Sequence, residues 1–236
     1  MEFPDPLIPG VLIKRYKRFL ADIRLESGEV VTAHCANTGS MESVKEPGSE
    51  VWLSPARSPQ RKLRYTWELI AVGAHLVGIN TSLPNGLVEE ALRRQGIPEL
   101  AGYGTIRREV AYGGNSRIDL LLEGGGHPTC YVEVKNVTMK RQSGPGAPVE
   151  FPDAVTARGS KHLIELSAMA RRGNRAVMLY LVQRGDGARF SIAADIDPAY
   201  AANLQKAIES GVEVLCYECT MSVKAIDVAD PLPVEI

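Results

Sequence analysis

The stretch Arg117-Ile118-Asp119-Leu120-Leu121-Leu122-Glu123, followed by Cys130-Tyr131-Val132-Glu133-Val134-Lys135, sets one Asp and one Glu-x-Lys inside two apolar runs. Both runs have strand length and strand composition, and the Gly124-Gly125-Gly126 link between them favours a hairpin. Side chains alternate faces along a strand, so Glu133 and Lys135 point one way while Val132 and Val134 point the other. Pairing of the two runs brings Asp119 beside them. Two carboxylates and an amine on one patch suit a hard divalent cation, Mg²⁺ or Mn²⁺, that takes its remaining ligands from solvent and phosphate. A Lys beside such an ion can orient or deprotonate a water, or stabilise charge on a phosphate. The chemistry indicated is metal-assisted phosphodiester hydrolysis. The alternative is that these charges form the solvated face of a sheet. Their apolar setting weighs against that, because charges among buried neighbours are costly unless paired or bound to metal.

The chain has 236 residues, 44% hydrophobic and 23% charged, which is ordinary globular composition for one large domain or two smaller ones. With a formal net charge of -1, no global basic field advertises nucleic acid, so any such binding must come from local clusters. No apolar run reaches membrane-helix length, and Met1-Glu2-Phe3-Pro4-Asp5-Pro6 lacks the charge and cleavage pattern of a secretory signal. The expectation is a cytoplasmic protein with no membrane partner. Cys35, Cys130, Cys216 and Cys219 then read as reduced thiols. Cys216 and Cys219 have zinc-like spacing, but there is no second pair and Cys216 lies in a strand-like run, so they read as strand cysteines.

Residues 11–16, 19–25, 30–35, 50–53, 66–72 and 75–79 are short β-like runs separated by turn signals. Such density predicts a small OB-like barrel over residues 1–84. The pattern changes at Leu83-Pro84-Asn85-Gly86. A helix is predicted over 87–95, strands over 104–112, 117–123 and 130–137, and a loop over 140–152. That loop reads either as a mobile lid or as an insertion without function. A helix from 153 or 156 to 172, a doubly buried strand over 175–182, a last helix over 198–210 and a last strand over 212–217 complete an α/β domain, residues 85–236, with a mixed sheet.

Arg158, Lys161, His162 and Glu165 make one polar stripe on the helix that follows the Glu-x-Lys strand. Cations in the first turns of a helix are a natural phosphate contact; the alternative is a solvated helix face. Glu89 and Glu90 open the short earlier helix, where acidic residues answer the helix dipole; either becomes a third metal carboxylate only if that helix covers the Asp119 strand. Lys14, Arg15, Lys17 and Arg18 interleave with Tyr16 and Phe19, and Arg61, Lys62 and Arg64 lie next to Tyr65. Cations among aromatics are how barrels hold nucleic acid with little sequence preference, but charged outward positions also prevent edge aggregation. Composition does not decide between these two. His34, His75 and His127 show no ligand or triad spacing and read as structural or exposed.

Several segments together resemble the bacterial sugar fermentation stimulation protein family, SfsA. They are Leu12-Ile13-Lys14-Arg15-Tyr16-Lys17-Arg18-Phe19-Leu20-Ala21-Asp22, His34-Cys35-Ala36-Asn37-Thr38-Gly39-Ser40-Met41, Thr66-Trp67-Glu68-Leu69, Ser116-Arg117-Ile118-Asp119, Tyr131-Val132-Glu133-Val134-Lys135 and Phe151-Pro152-Asp153 through Lys161-His162-Leu163. The resemblance implies an N-terminal OB-like domain and a C-terminal domain like the PD-(D/E)xK nucleases. It implies that Asp119 and Glu133 bind Mg²⁺, joined by the Val134 carbonyl, that Lys135 activates water, and that Glu90 on the preceding helix assists. It further implies non-specific DNA binding and a link to expression of maltose-metabolism genes. A regulator without catalysis, and a small-molecule or protein-binding barrel with a vestigial second domain, remain as alternatives. The sequence leaves the oligomeric state open, a homodimer included.

Overall fold

The computed structural model describes every residue except Pro59 and Pro145, the latter inside the predicted 140–152 loop. The first unit is built from β1 (Ile8–Tyr16), β2 (Leu20–Leu25), β3 (Val30–His34), β4 (Glu50–Pro55), β5 (Tyr65–Val72) and β6 (His75–Gly78). The strand order β3-β2-β1-β4-β5-β6, with β3 also bridging β5 at His34–Thr66, closes a five-stranded OB barrel. Closure needs a strongly bent first strand. A register shift in β1 between Leu12 and Lys14 supplies the bend. At Gly10 a Cβ would lie 2.9 Å from the Arg24 carbonyl oxygen, so the residue has to be glycine for β1 to lie this close to β2. Alternate residues such as Ala21, Ile23, Val51, Leu53 and Trp67 fill the interior.

The second unit opens with α1 (Pro84–Arg93). It begins three residues before the predicted start because Pro84 occupies the first helical turn, where its missing N–H leaves nothing unsatisfied. Then come β7 (Thr105–Tyr112), β8 (Ser116–Glu123), β9 (Cys130–Val137), β10 (Pro148–Phe151), α2 (Ala157–Arg171), β11 (Arg175–Val182), β12 (Arg189–Ile192), α3 (Pro198–Glu209), β13 (Glu213–Met221), β14 (Ile226–Pro231) and β15 (Val234–Glu235). The main sheet runs β14-β13-β11-β9-β8-β7, parallel in its β9-β11-β13 centre and antiparallel at both margins. Val132 and Val134 pack with Leu87, Val88 and Ala91 of α1 on one face. Leu163 and Leu166 of α2 and Leu204 of α3 pack on the other.

Two expectations need correction, and one sheet was not foreseen. The 140–152 segment is not all loop, since it contains β10. The chain does not end its strands at 217, since β13 continues to Met221 and β14 and β15 follow. A second, three-stranded sheet of order β10-β12-β15 was not legible. Its strands are two to four residues long, too short for a period-2 signal, and their partners lie far away in sequence. The barrel sits directly on the sheet domain. Gly78 N–H donates to the Gln183 carbonyl (2.8 Å), Met41 N–H donates to Asp153 Oδ2 (3.3 Å), and Leu69 of β5 belongs to the core beneath α1.

Candidate active site

The β8–β9 hairpin pairs Leu120 with Val132 and Leu122 with Cys130, and the ladder stops there. One residue further on, Asp119 replaces the missing ladder bond with its side chain: Oδ2 accepts the Val134 N–H at 2.8 Å. Oδ1 accepts Asn85 Nδ2 from the first turn of α1, also at 2.8 Å. On the other flank, Glu109 of β7 lies opposite Asp119 and holds φ at 52°, a left-handed conformation uncommon for a non-glycine residue. The sheet is thus pried open around one carboxylate. A backbone outlier at such a place is a common companion of function. Within a strand the N–H and C=O of one residue point to the same side, so the Val134 carbonyl faces the Asp119 gap as well.

Glu133, 1% exposed, lies on the α2 face of the same sheet. Its Oε1 accepts Lys135 Nζ at 2.7 Å and contacts His162 Nδ1. Its Oε2 is buried and has no partner among the described residues. Burial pushes this carboxyl up, but the His162 hydrogen bond and the Lys135 charge outweigh it, and the group stays below the ordinary carboxylate range. Asp119 is shifted the other way. Burial and the neighbouring Glu133 charge hold it up against the Val134 and Asn85 donors. Arg158 Nε reaches His162 Nε2 at 3.4 Å, which fits an imidazole that donates from Nδ1 to Glu133 and accepts at Nε2. The Tyr112 hydroxyl and Glu165 Oε2 are also buried without partners among the described residues. Burial and the charges of Glu133, Glu165 and Asp119 push the Tyr112 phenol up.

α2 starts where it can serve this group. Thr156 Oγ1 accepts the Gly159 N–H at 3.1 Å as the N-cap, and Arg158 and Lys161 follow in the first turns. They line a cleft of about 650 Å³ with Tyr112, Asn115, Arg117 and His162. Lys161 Nζ donates to the Asn115 carbonyl at 3.3 Å.

Asp119, Glu133, Val134, Lys135, Arg158, Lys161 and His162 are therefore brought together. His162, which also lines the cleft, is 4% exposed and has both ring nitrogens engaged, so it orients Glu133. Glu90 is not brought to this site. It pairs with the Met1 amino group (3.1 Å) and Arg94 (3.9 Å), close to Asp227 on the β14 edge. Glu89 pairs with Arg93 and Arg108. What α1 contributes is Asn85. Sequence reasoning passed over it, and over Tyr112, because a turn-like Asn and a strand-end Tyr carry no periodic signal.

The barrel cations divide. Arg15 spends Nη2 on the carbonyls of Arg18, Asn37 and Gly39, which organises that turn. Lys14 lies 3.5 Å from Asp22 and over the Tyr16 ring. Lys17, Arg18, Arg61, Lys62 and Arg64 are exposed. The strand ends that carry the two clusters lie two pairings apart, since Leu20 pairs with His34 and His34 with Thr66. Arg18 also lines a cleft of about 280 Å³ with Asp153 and Thr156 at the start of α2.

Among the described residues no three His, Cys, Asp or Glu side chains converge in metal-binding geometry. The pair Asp119 and Glu133 nevertheless fits a hard cation. The donors are all oxygen, one carboxylate oxygen is buried and unpartnered, a backbone carbonyl faces the gap, and such ions complete their shell with solvent and phosphate. Cys216 and Cys219 are buried free thiols on β13. Among the described residues no helix is long and apolar enough to cross a membrane.

Comparison with known proteins agrees with this architecture. Residues 13–79 match the family model described as the SfsA N-terminal OB domain, and residues 82–225 match the sugar fermentation stimulation protein RE domain. A sugar fermentation stimulation protein homolog of Paramagnetospirillum magneticum is 57% identical over 236 residues, covering 100% of this chain and 98% of the relative. One from Rhodospirillum rubrum is 59% identical over 226 residues, covering 93% and 92%. The solved structure of Pyrococcus furiosus SfsA in complex with Ca²⁺ superposes with a TM-score of 0.88 at 29% identity, covering 100% of this chain and 98% of that one. With its two halves matched in order and relatives alike over their full length, the chain belongs to the sugar fermentation stimulation protein family.

Proposed function

We propose that this protein is a nucleic-acid-binding phosphodiesterase dependent on a divalent cation, with DNA as the preferred partner and the cytoplasm as its place of action. The observation that carries this reading is the buried pair Asp119 and Glu133, with Glu133 Oε2 unpartnered and Lys135 Nζ 2.7 Å from Oε1. A polymer-binding barrel has no use for two carboxylates beside a phosphate cleft, since they repel phosphate unless a cation intervenes. That a relative has been solved with Ca²⁺, another oxygen-seeking ion, supports a cation here.

Asp119, Glu133 Oε2 and the Val134 carbonyl would hold Mg²⁺ or Mn²⁺. When bound, such an ion neutralises charge on the phosphoryl oxygens and lowers the pKa of an attacking water. Lys135 Nζ orients that water or donates to the charge that builds on phosphate. His162 fixes the Glu133 carboxylate, and Asn85 fixes Asp119. Arg158 and Lys161 hold phosphate in the cleft, while Lys17, Arg18, Arg61, Lys62 and Arg64 draw the strand onto the barrel.

A test is cleavage of labelled single-stranded DNA, duplex DNA and RNA with Mg²⁺, Mn²⁺ or EDTA, beside Glu133→Ala. Metal-dependent cleavage lost in the variant is expected. Retained cleavage in Glu133→Ala contradicts the assignment. The second reading, a non-catalytic DNA-binding regulator of sugar-metabolism genes, is favoured by the exposed barrel cations alone. It predicts salt-sensitive binding by both proteins with no cut product.

A further inference from the structure

We infer that a cavity of about 520 Å³, between the barrel rim and the chain leading into α1, binds the base of a nucleotide, with guanine the best fit, through the buried carboxylate of Glu68. This goes beyond the phosphodiesterase reading and does not rest on it, because the cavity shares no lining residue with the Asp119–Glu133 pair.

Glu68 on β5 is 5% exposed and lines the cavity. Its Oε1 accepts Ser54 Oγ at 2.6 Å and its Oε2 accepts Asn80 Nδ2 at 2.9 Å. Both donors are neutral, and no Lys or Arg among the described residues comes within ion-pair distance of it. Burial raises the carboxyl, against the pull of Ser54, Asn80 and the more distant Arg61 charge. A buried carboxylate with neutral partners only is under-compensated, and each of its oxygens has room for a second donor. The fold alone does not call for a charge here, since a neutral acceptor would satisfy Ser54 and Asn80. His34 on the same wall has a buried Nδ1 without a partner among the described residues. Burial and the Arg61 charge hold its imidazole low, so it presents a neutral hydrogen-bonding edge.

The ligand class follows from these groups. Two open acceptor positions on one carboxylate call for two adjacent N–H donors. The guanine edge offers N1–H beside its 2-amino group, whereas adenine and cytosine offer one amino group. Uracil and thymine place their single N–H between two carbonyls that a carboxylate repels. Phe3, Pro55 and Leu83 supply apolar walls for a planar ring, and the cavity volume lies in the range of small-molecule sites. Arg61 and Arg57 are exposed at its rim, where a 5′-phosphate would lie. Arg57 Nε meets Asp5 at 3.2 Å, while Arg61 makes no ion pair among the described residues. The same chemistry is offered by a free nucleotide and by a base unstacked from a single strand. Asn80 and Asn85 also place the cavity and the active site at the two ends of one short segment, the first donating to Glu68 and the second to Asp119.

The test is calorimetric titration of the full chain in EDTA with GMP, AMP, CMP and UMP, and with a guanine-containing and a guanine-free single strand of equal length. Saturable binding of GMP, or preference for the guanine-containing strand, is expected; the first identifies a free nucleotide as the source and the second a base within a strand. Glu68→Gln is expected to weaken that binding about tenfold or more, and Arg61→Ala about threefold at low salt. If circular dichroism shows that Glu68→Gln does not fold, Ala56→Phe, which fills the cavity from a half-buried wall position, takes its place with the same expected loss. No saturable binding by any of these probes, or guanine binding indifferent to the cavity variants and Arg61→Ala, overturns the inference.

Discussion

Glu133 in the sheet domain and Glu68 in the barrel are the same residue type, both on strands and both almost fully buried, yet their surroundings are opposite. Glu133 has Lys135 and His162 against one oxygen, and these hold it ionised despite burial. Glu68 has only Ser54 and Asn80, and burial wins. Burial alone therefore does not say what a buried carboxylate does; its partners do. Where cations are built in and one oxygen is left bare, the group is kept charged for a further cation. Where only neutral donors are built in, the group is better completed by donors that arrive with a ligand.

The largest effect should come from breaking the first environment. Glu133→Gln keeps shape and removes charge, and is expected to lower metal-dependent cleavage about a hundredfold or more, while Glu68→Gln leaves the cleavage chemistry of a bound strand intact. Initial rates at saturating substrate check this. Next in size is stability. A divalent cation at 100-fold over its Kd should stabilise the wild type by about 2.7 kcal/mol, seen as a rise in Tm of several degrees. In Asp119→Asn, thermal melts with and without Mg²⁺ should nearly coincide.

A smaller effect sharpens the contrast through pH, measured in EDTA. The Glu133 carboxyl lies below its ordinary 4.5, so its stabilisation is complete above that value and is lost as pH falls through the folded value. The Glu68 carboxyl lies above 4.5, so stability is lost as pH rises from 4.5 through the folded value. The stability deficit of Glu133→Gln should therefore shrink on acidification. Glu68→Gln should gain on the wild type as pH rises through that window. Denaturant unfolding of both variants from pH 4 to 8 checks these signs. The smallest effect concerns the exposed rim. Lys62→Ala should weaken strand binding uniformly across sequences and reduce the salt slope by about 1, whereas Arg15→Ala should instead loosen the turn it organises.

Much of this was legible in the sequence because period and chemistry coincided. β1 to β6 and the β8–β9 hairpin are short β-like runs bounded by turn residues, and the Asp and Glu-x-Lys stand out against apolar neighbours. β10, β12 and β15 were not legible, because segments of two to four residues are defined by distant partners and not by their own pattern. At the site, strand alternation placed Glu133 and Lys135 on one face, but helix rotation was harder to read. The preceding helix turns Asn85 toward Asp119 and Glu90 toward the Met1 amino group. His162 read as one of a stripe of phosphate contacts, because a helix stripe does not reveal which of its members meets a carboxylate on another element. Glu68 was visible only inside Thr66-Trp67-Glu68-Leu69, where nothing marked its lack of a cation.

The most direct test of the central claim is a crystal of this protein soaked in Mn²⁺, with the anomalous difference map computed before any metal is built. One strong peak is expected between Asp119 and Glu133 Oε2, at about 2.1 Å from carboxylate oxygen, absent in Asp119→Asn. A featureless map at that pair in crystals saturated with Mn²⁺, or a peak that persists in Asp119→Asn, would contradict it.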